Sequence, residues 1–181
     1  MKLSVVMFLV LVAVALTTIT MGCVSEPKAK TKYYTCPAGK YLLTGHDFEE
    51  AGWTIGESSE ELPSKLKGKV SSYQCCKIGK LRKDLDVFVY AIFVYSNKTA
   101  AESEYEKIKN DYAAKMSVER LNLGDKGFKV NYGPISLYGH EGYVIWILNG
   151  NSLIYITCSV IFEDPEDLAE IIINKMNKVA E

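Results

Sequence analysis

Histidine is scarce here, two in 181 residues, which removes the commonest means of building a metal or acid–base site. His46 and His140 lie far apart, and His140-Glu141 is not followed by a histidine at helical spacing, so no zinc-protease signature is present. Also absent are a Gly-x-Ser-x-Gly elbow, a Gly-x-Gly-x-x-Gly turn, a phosphate-binding loop and a Cys-x-x-Cys pair. For an enzyme, what remains is a pocket joining His46, His140 and a carboxylate such as Asp125. An excess of charge of one sign is missing too: 21 Lys and Arg face 22 Asp and Glu, a balance that argues against general nucleic-acid binding. The expectation is therefore no catalytic residue, no metal and no cofactor. With 48% hydrophobic and 24% charged residues, the composition excludes a disordered tail, a coiled coil and a collagen-like repeat.

The long apolar run is at the start. Lys2 precedes the apolar residues 3–16, and Thr17, Thr18, Ile19, Thr20, Met21, Gly22 and Cys23 follow. Charged start, apolar centre and small-residue end is the order of a secretory signal peptide. The tail Thr20-Met21-Gly22-Cys23 resembles a lipobox, in which a peptidase cuts before a cysteine that carries lipid. Thr20 stands where that pattern has Leu, so an uncleaved N-terminal helix over residues 3–21 and a soluble secreted form stay open as alternatives. The resemblance implies an exported protein on the outer face of the cell membrane, lipid-anchored through Cys23. Residues 24–32 are polar, include Pro27, and read as a tether. The expected organisation is a signal peptide over 1–22, a tether over 23–36 and one globular domain over 37–181. Removing the first segment leaves 181 − 22 = 159 residues, enough for one core.

Within the head, period separates the elements. Residues 47–52 suggest a short helical turn, and residues 70–78 and 86–95 are β-rich around a polar turn, predicting a hairpin. The second of these strands is apolar on both faces, which demands cover on both sides of the sheet. Over residues 99–116, Ala101, Tyr105, Ile108, Tyr112 and Met116 recur at helical spacing. Ser96, Asn97 or a Thr99–Glu102 capping box would start that helix. Short strands are expected over 128–132 and 135–138. The sharpest hairpin signal is Asn149-Gly150-Asn151 between the apolar runs 142–148 and 152–162. Asp164 as cap and Pro165 at the first helical position open a closing helix over 165–180, with Leu168, Ile171, Ile172, Met176 and Val179 as its buried stripe. Strands, helix, strands, helix, joined by hairpins, give an α+β fold with an antiparallel sheet flanked by helices.

Leu42-Leu43-Thr44, Ala51-Gly52-Trp53, Ser96 with Ala100-Ala101, Leu123-Gly124-Asp125, the Asn149-Gly150-Asn151 hairpin and the closing helix resemble exported domains of uncharacterised archaeal and bacterial lipoproteins. Those domains are similar to the PsbP and Mog1 type of α/β/α sandwich. The resemblance implies a binding or accessory role, with a protein or a small molecule as ligand, and carries over no catalytic residue. An extracytoplasmic enzyme with a non-standard site and a structural subunit of an envelope complex are the competing readings.

Cys36, Cys75, Cys76 and Cys158 remain after Cys23, an even number for an oxidising compartment. A bond between Cys75 and Cys76 would need a strained ring, so the expected bridges join Cys36 to one member of the pair and Cys158 to the other. Lys77, Lys80, Arg82 and Lys83 lie in a stretch without acidic residues from 62 to 83 and form a candidate patch for an anionic ligand, alongside the simpler reading of a solvated hairpin tip. Asn97-Lys98-Thr99 fits the acceptor sequence for N-glycosylation at Asn97, which helix capping would use equally well.

Overall fold

The computed structural model describes residues 32–48, 53–61, 69–80, 86–135, 139–160 and 164–180. The signal segment, Cys23, most of the tether, Arg82, Lys83 and the ends of three expected elements (49–52, 136–138 and 161–162) lie outside the described residues. A compact unit begins at Lys32, five residues ahead of the expected boundary at 37.

Its strands are β1 (Trp53–Ser59), β2 (Ser72–Lys80), β3 (Asp86–Val94), β4 (Glu119–Leu121), β5 (Lys126–Pro134), β6 (Glu141–Asn149) and β7 (Ser152–Val160). Helix α1 (Lys98–Ala113) follows β3, and α2 (Pro165–Ala180) follows β7. Among the described residues these strands join one sheet in the order β1-β2-β3-β7-β6-β5-β4, and every pairing is antiparallel. The expected antiparallel α+β organisation is present, in a form dominated by its sheet.

Alternation along the central strands builds two cores. Phe88, Tyr90 and Ile92 of β3 face the same side as Ile154 and Ile156 of β7, where Leu168, Ala169, Ile172 and Met176 of α2 cover them. Ala91 and Phe93 face the other side with Phe128 and Leu153, under Ala101 and Tyr105 of α1. A strand buried on both faces must be central, and β3 and β7 are. The helix starts follow their caps: the Asn97 side chain accepts from the Ala100 amide at 2.9 Å, and Asp164 accepts from the Glu166 amide at 2.9 Å. On the α1 side, Tyr73, Phe93, Trp146 and Tyr155 form a row of ring contacts with centroids 4.7 to 5.9 Å apart.

The α2 side also carries the N-terminal segment, which runs over the sheet as a strap from Lys32 to Leu43. Tyr34, Ala38, Tyr41 and Leu43 are buried in it. Its tightest fixing point is the turn between β6 and β7. There Gly150 holds φ +60° and Asn149 pairs with Ser152, a two-residue turn with glycine in its first position, which matches the twist of the strands. A Cβ on Gly150 would run into the Lys32 carbonyl. Asn151, fully buried, accepts from the Tyr34 amide at 2.6 Å and donates to the carbonyls of Tyr34 and Tyr95 at 3.0 and 2.7 Å. Asn149 donates to the Tyr34 hydroxyl at 2.5 Å, which donates on to Asn177 of α2 at 2.9 Å. Farther along, Ser72 accepts from the Ala38 amide at 2.6 Å and the Tyr90 hydroxyl accepts from the Leu43 amide at 2.8 Å.

Replacing Asn151 by Ala leaves three buried backbone groups without their partner. Each such group costs about 1–3 kcal/mol, so Asn151→Ala is expected to lower unfolding stability by roughly 3 kcal/mol or more. Chemical denaturation with an unchanged slope is the check; a loss below about 1 kcal/mol contradicts this account of the strap.

Candidate functional site

The structure corrects the expected disulfides: Cys36, Cys75, Cys76 and Cys158 are free thiols. Register supplies the reason. Cys76 stands opposite Tyr90 and Tyr90 opposite Ile156, whereas Cys158 stands opposite Phe88. Because β3 separates β2 from β7, two strand spacings and two residues of offset put Cys158 and Cys76 about 12 Å apart. A bridge reaches about 7 Å between Cα atoms. Cys75 packs in the other core, beside α1, and faces away from Cys158. Cys36 sits in the strap, its amide donating to the Tyr41 hydroxyl at 3.1 Å.

The other candidates are scattered. His46 lies in the 3-10 turn Gly45–Asp47. His140 precedes β6, with its Nδ1 3.1 Å from the Ser159 hydroxyl. Asp125 is at the opposite end of β6, its amide donating to the Leu148 carbonyl at 2.8 Å. Eight residues of extended chain, roughly 26 Å, separate that carbonyl from His140, so the pocket that would have favoured an enzyme is not assembled. Lys77 is exposed on β2 and Lys80 is that strand's last residue; with Arg82 and Lys83 outside the described residues, the lysine patch has no defined geometry. Asn97 is exposed, with its carbonyl oxygen used as the α1 cap and its amide nitrogen 3.3 Å from the Ser96 hydroxyl as donor.

What the fold does assemble is a groove of ≈ 420 Å³ between the middle of α1 and the β4–β5 corner. Tyr105, Glu106 and Lys109 come from the helix, Arg120 from β4, and Asp125 and Lys126 from the corner and the start of β5. The corner is tight because Gly124 takes φ +63°, where a Cβ would meet the Leu148 carbonyl at 2.6 Å. Ion pairs fix the walls. Lys126 lies 2.8 Å from both Glu102 and Glu106, and Lys98 lies 2.8 Å from Asp125. Hydrogen bonds to Glu102 and Glu106 raise the Lys126 pKa, and the bond from Lys126 lowers that of Glu102. Asp125 also accepts from the Gly150 amide at 3.2 Å, so the groove adjoins the turn that holds the strap.

Lys109 and Arg120 have no carboxylate partner among the described residues. Tyr105 is 2% exposed and no hydrogen bond to its hydroxyl perturbs it; burial, then the charge of Glu106, pushes its pKa up to about 12. At neutral pH the groove therefore presents a neutral phenol donor and two uncommitted cations beside two carboxylates already neutralised. Among the described residues, the lining pairs no nucleophile with a base. Single-sequence reading missed the groove. The available signal was Gly124-Asp125-Lys126-Gly127, a charged pair between two glycines two residues beyond a short charged strand.

Burial also pushes the Cys158 thiol up to about 12, against an ordinary 9.0, and raises Tyr34 and Tyr90 above the ordinary 10.0. These groups ionise more readily in the unfolded chain, which then binds fewer protons than the folded one. Stability is expected to be level with respect to them below about pH 9 and to fall from there towards pH 12. Denaturation at stepped alkaline pH checks this, and a flat profile contradicts it.

No family model matches the chain, and no curated protein does. Among solved structures, the chain is similar to the extracellular domain of PknH from Mycobacterium tuberculosis, with a TM-score of 0.57 and 11% identity over 81% of this chain and 99% of that one. At that identity the likeness is one of fold alone: a sheet-dominant α+β domain.

Proposed function

We propose that this protein is an extracytoplasmic binding or accessory module, without catalysis of its own, held at the outer face of the membrane through Cys23. The observation that carries the binding role is the groove, whose walls are fixed by ion pairs while Tyr105, Lys109 and Arg120 are left uncommitted. The location rests on the order Lys2, apolar run, Gly22-Cys23, and a fold shared with an extracellular domain fits it. No helix among the described residues is long and apolar enough to cross a membrane, so among those residues the head supplies no membrane-spanning helix of its own. A helix on each face of the antiparallel sheet supports assigning the head to the PsbP and Mog1 type.

Export and anchoring are separable by one substitution. Wild-type protein is expected in the membrane fraction with an intact mass beginning at a lipid-modified Cys23. Cys23→Ser is expected either to accumulate as uncut precursor or to release an unlipidated head, with folding unchanged. An N-terminus at Met1 in membrane-bound protein would establish the uncleaved helix instead, and a cytosolic wild type would overturn the location.

A further inference from the structure

The chain enters the folded unit at Lys32, and Lys32 lies against Gly150. Gly150 in turn donates to Asp125 on the rim of the groove. The entry point and the groove therefore share one end of the sheet, the end where β6 turns into β7. From Cys23 to Lys32 there are nine residue steps, a leash of at most about 32 Å. With Cys23 anchored, the point of entry lies within that distance of the membrane surface, and the groove shares its end of the sheet.

We infer that the groove is a membrane-proximal site for the phosphate of an anionic lipid headgroup, held by Arg120, Lys109 and the Tyr105 hydroxyl. This rests on the tethered reading given above. A phosphate diester offers several acceptor oxygens around one centre, and the groove offers a guanidinium fork, an ammonium and a phenol to meet them. Tyr105 is the independent pointer. It lines the groove, and among the described residues its hydroxyl has no hydrogen-bond partner, which leaves it free to donate to a ligand. The two carboxylates in the lining do not repel the ligand at full strength, since Lys126 lies against Glu106 and Lys98 against Asp125. At ≈ 420 Å³ the space takes a phosphate together with its glycerol. Basic side chains next to an anionic surface attract it within about a Debye length, so the contact weakens with added salt.

The test uses the full chain purified from membranes and reconstituted into vesicles of phosphatidylcholine alone or doped with phosphatidylglycerol. Flotation reports whether the chain is held by the vesicles, and amide hydrogen exchange over residues 119–127 reports on the groove. Exchange there is expected to slow by about tenfold only when phosphatidylglycerol is present. Lys109→Ala with Arg120→Ala should abolish that difference and leave the unfolding midpoint unchanged; if this pair does not fold, Arg120→Gln alone carries the comparison. Equal exchange on both vesicles, or slowing that survives the substitutions, overturns the inference while flotation still upholds the tether. Slowing on plain phosphatidylcholine when glycerol phosphate is added would assign the groove to a soluble phosphate ester and overturn the headgroup as its source. A chain that floats with neither vesicle removes the tethered reading and this inference together.

Discussion

Everything at one end of this molecule depends on a single buried amide. Asn151 uses both its donor hydrogens and its acceptor on backbone groups, two on Tyr34 and one on Tyr95. No other side chain of that length offers two donors and an acceptor in one plane: Asp would donate nothing and bury a charge. Through that amide the strap, the β6–β7 turn and the exit from β3 are fixed to one another. Tyr34 extends the clasp to α2 by way of Asn177, so that four separate parts of the chain meet at one place.

The groove inherits its rigidity from the same end. Asp125 is held by backbone contacts to Leu148 and Gly150 and by Lys98 from the first turn of α1. Lys126, one residue on, is pinned to the same helix by Glu102 and Glu106. These pairs are about two-fifths exposed, and their net stabilisation is correspondingly small, of order 0.2–1 kcal/mol each. Their effect is positional. They occupy the acidic side chains and leave Lys109 and Arg120 unmatched. A ligand that brings its own negative charge completes that arrangement.

Much of the scaffold was legible in the sequence, because hydrophobic period and cap chemistry are local. The β2–β3 hairpin, α1, the turn at Gly150 and α2 follow from alternation, from helical spacing and from Asp164-Pro165. The closing helix buries Leu168, Ile172 and Met176, as its stripe required. Strand β1 was not legible: Trp53–Ser59 contains Gly56 and three hydroxyl residues, and it is a strand because β2 offers it an edge. Strand β4, three residues long with two of them charged, is likewise made by its partner. The strap escaped notice because side chains far along the sequence hold it: Ser72, Tyr90, Asn149 and Asn151. The cysteines misled for a related reason. Even number and compartment say nothing of register, and register puts β3 between Cys76 and Cys158. The groove draws on α1, β4 and β5, and no one stretch of sequence displays it.

A clasp built on Asn151 requires the strap to belong to the cooperative fold. Native-state hydrogen exchange at the Tyr34 amide, which donates to Asn151, measures this directly. If the clasp organises that end of the molecule, this amide exchanges only through global unfolding, with the same opening free energy as the amides of Tyr90 and Ile156 in the central strands. An amide at Tyr34 that exchanges at the rate of an unstructured peptide, while the central strands stay protected, would contradict it.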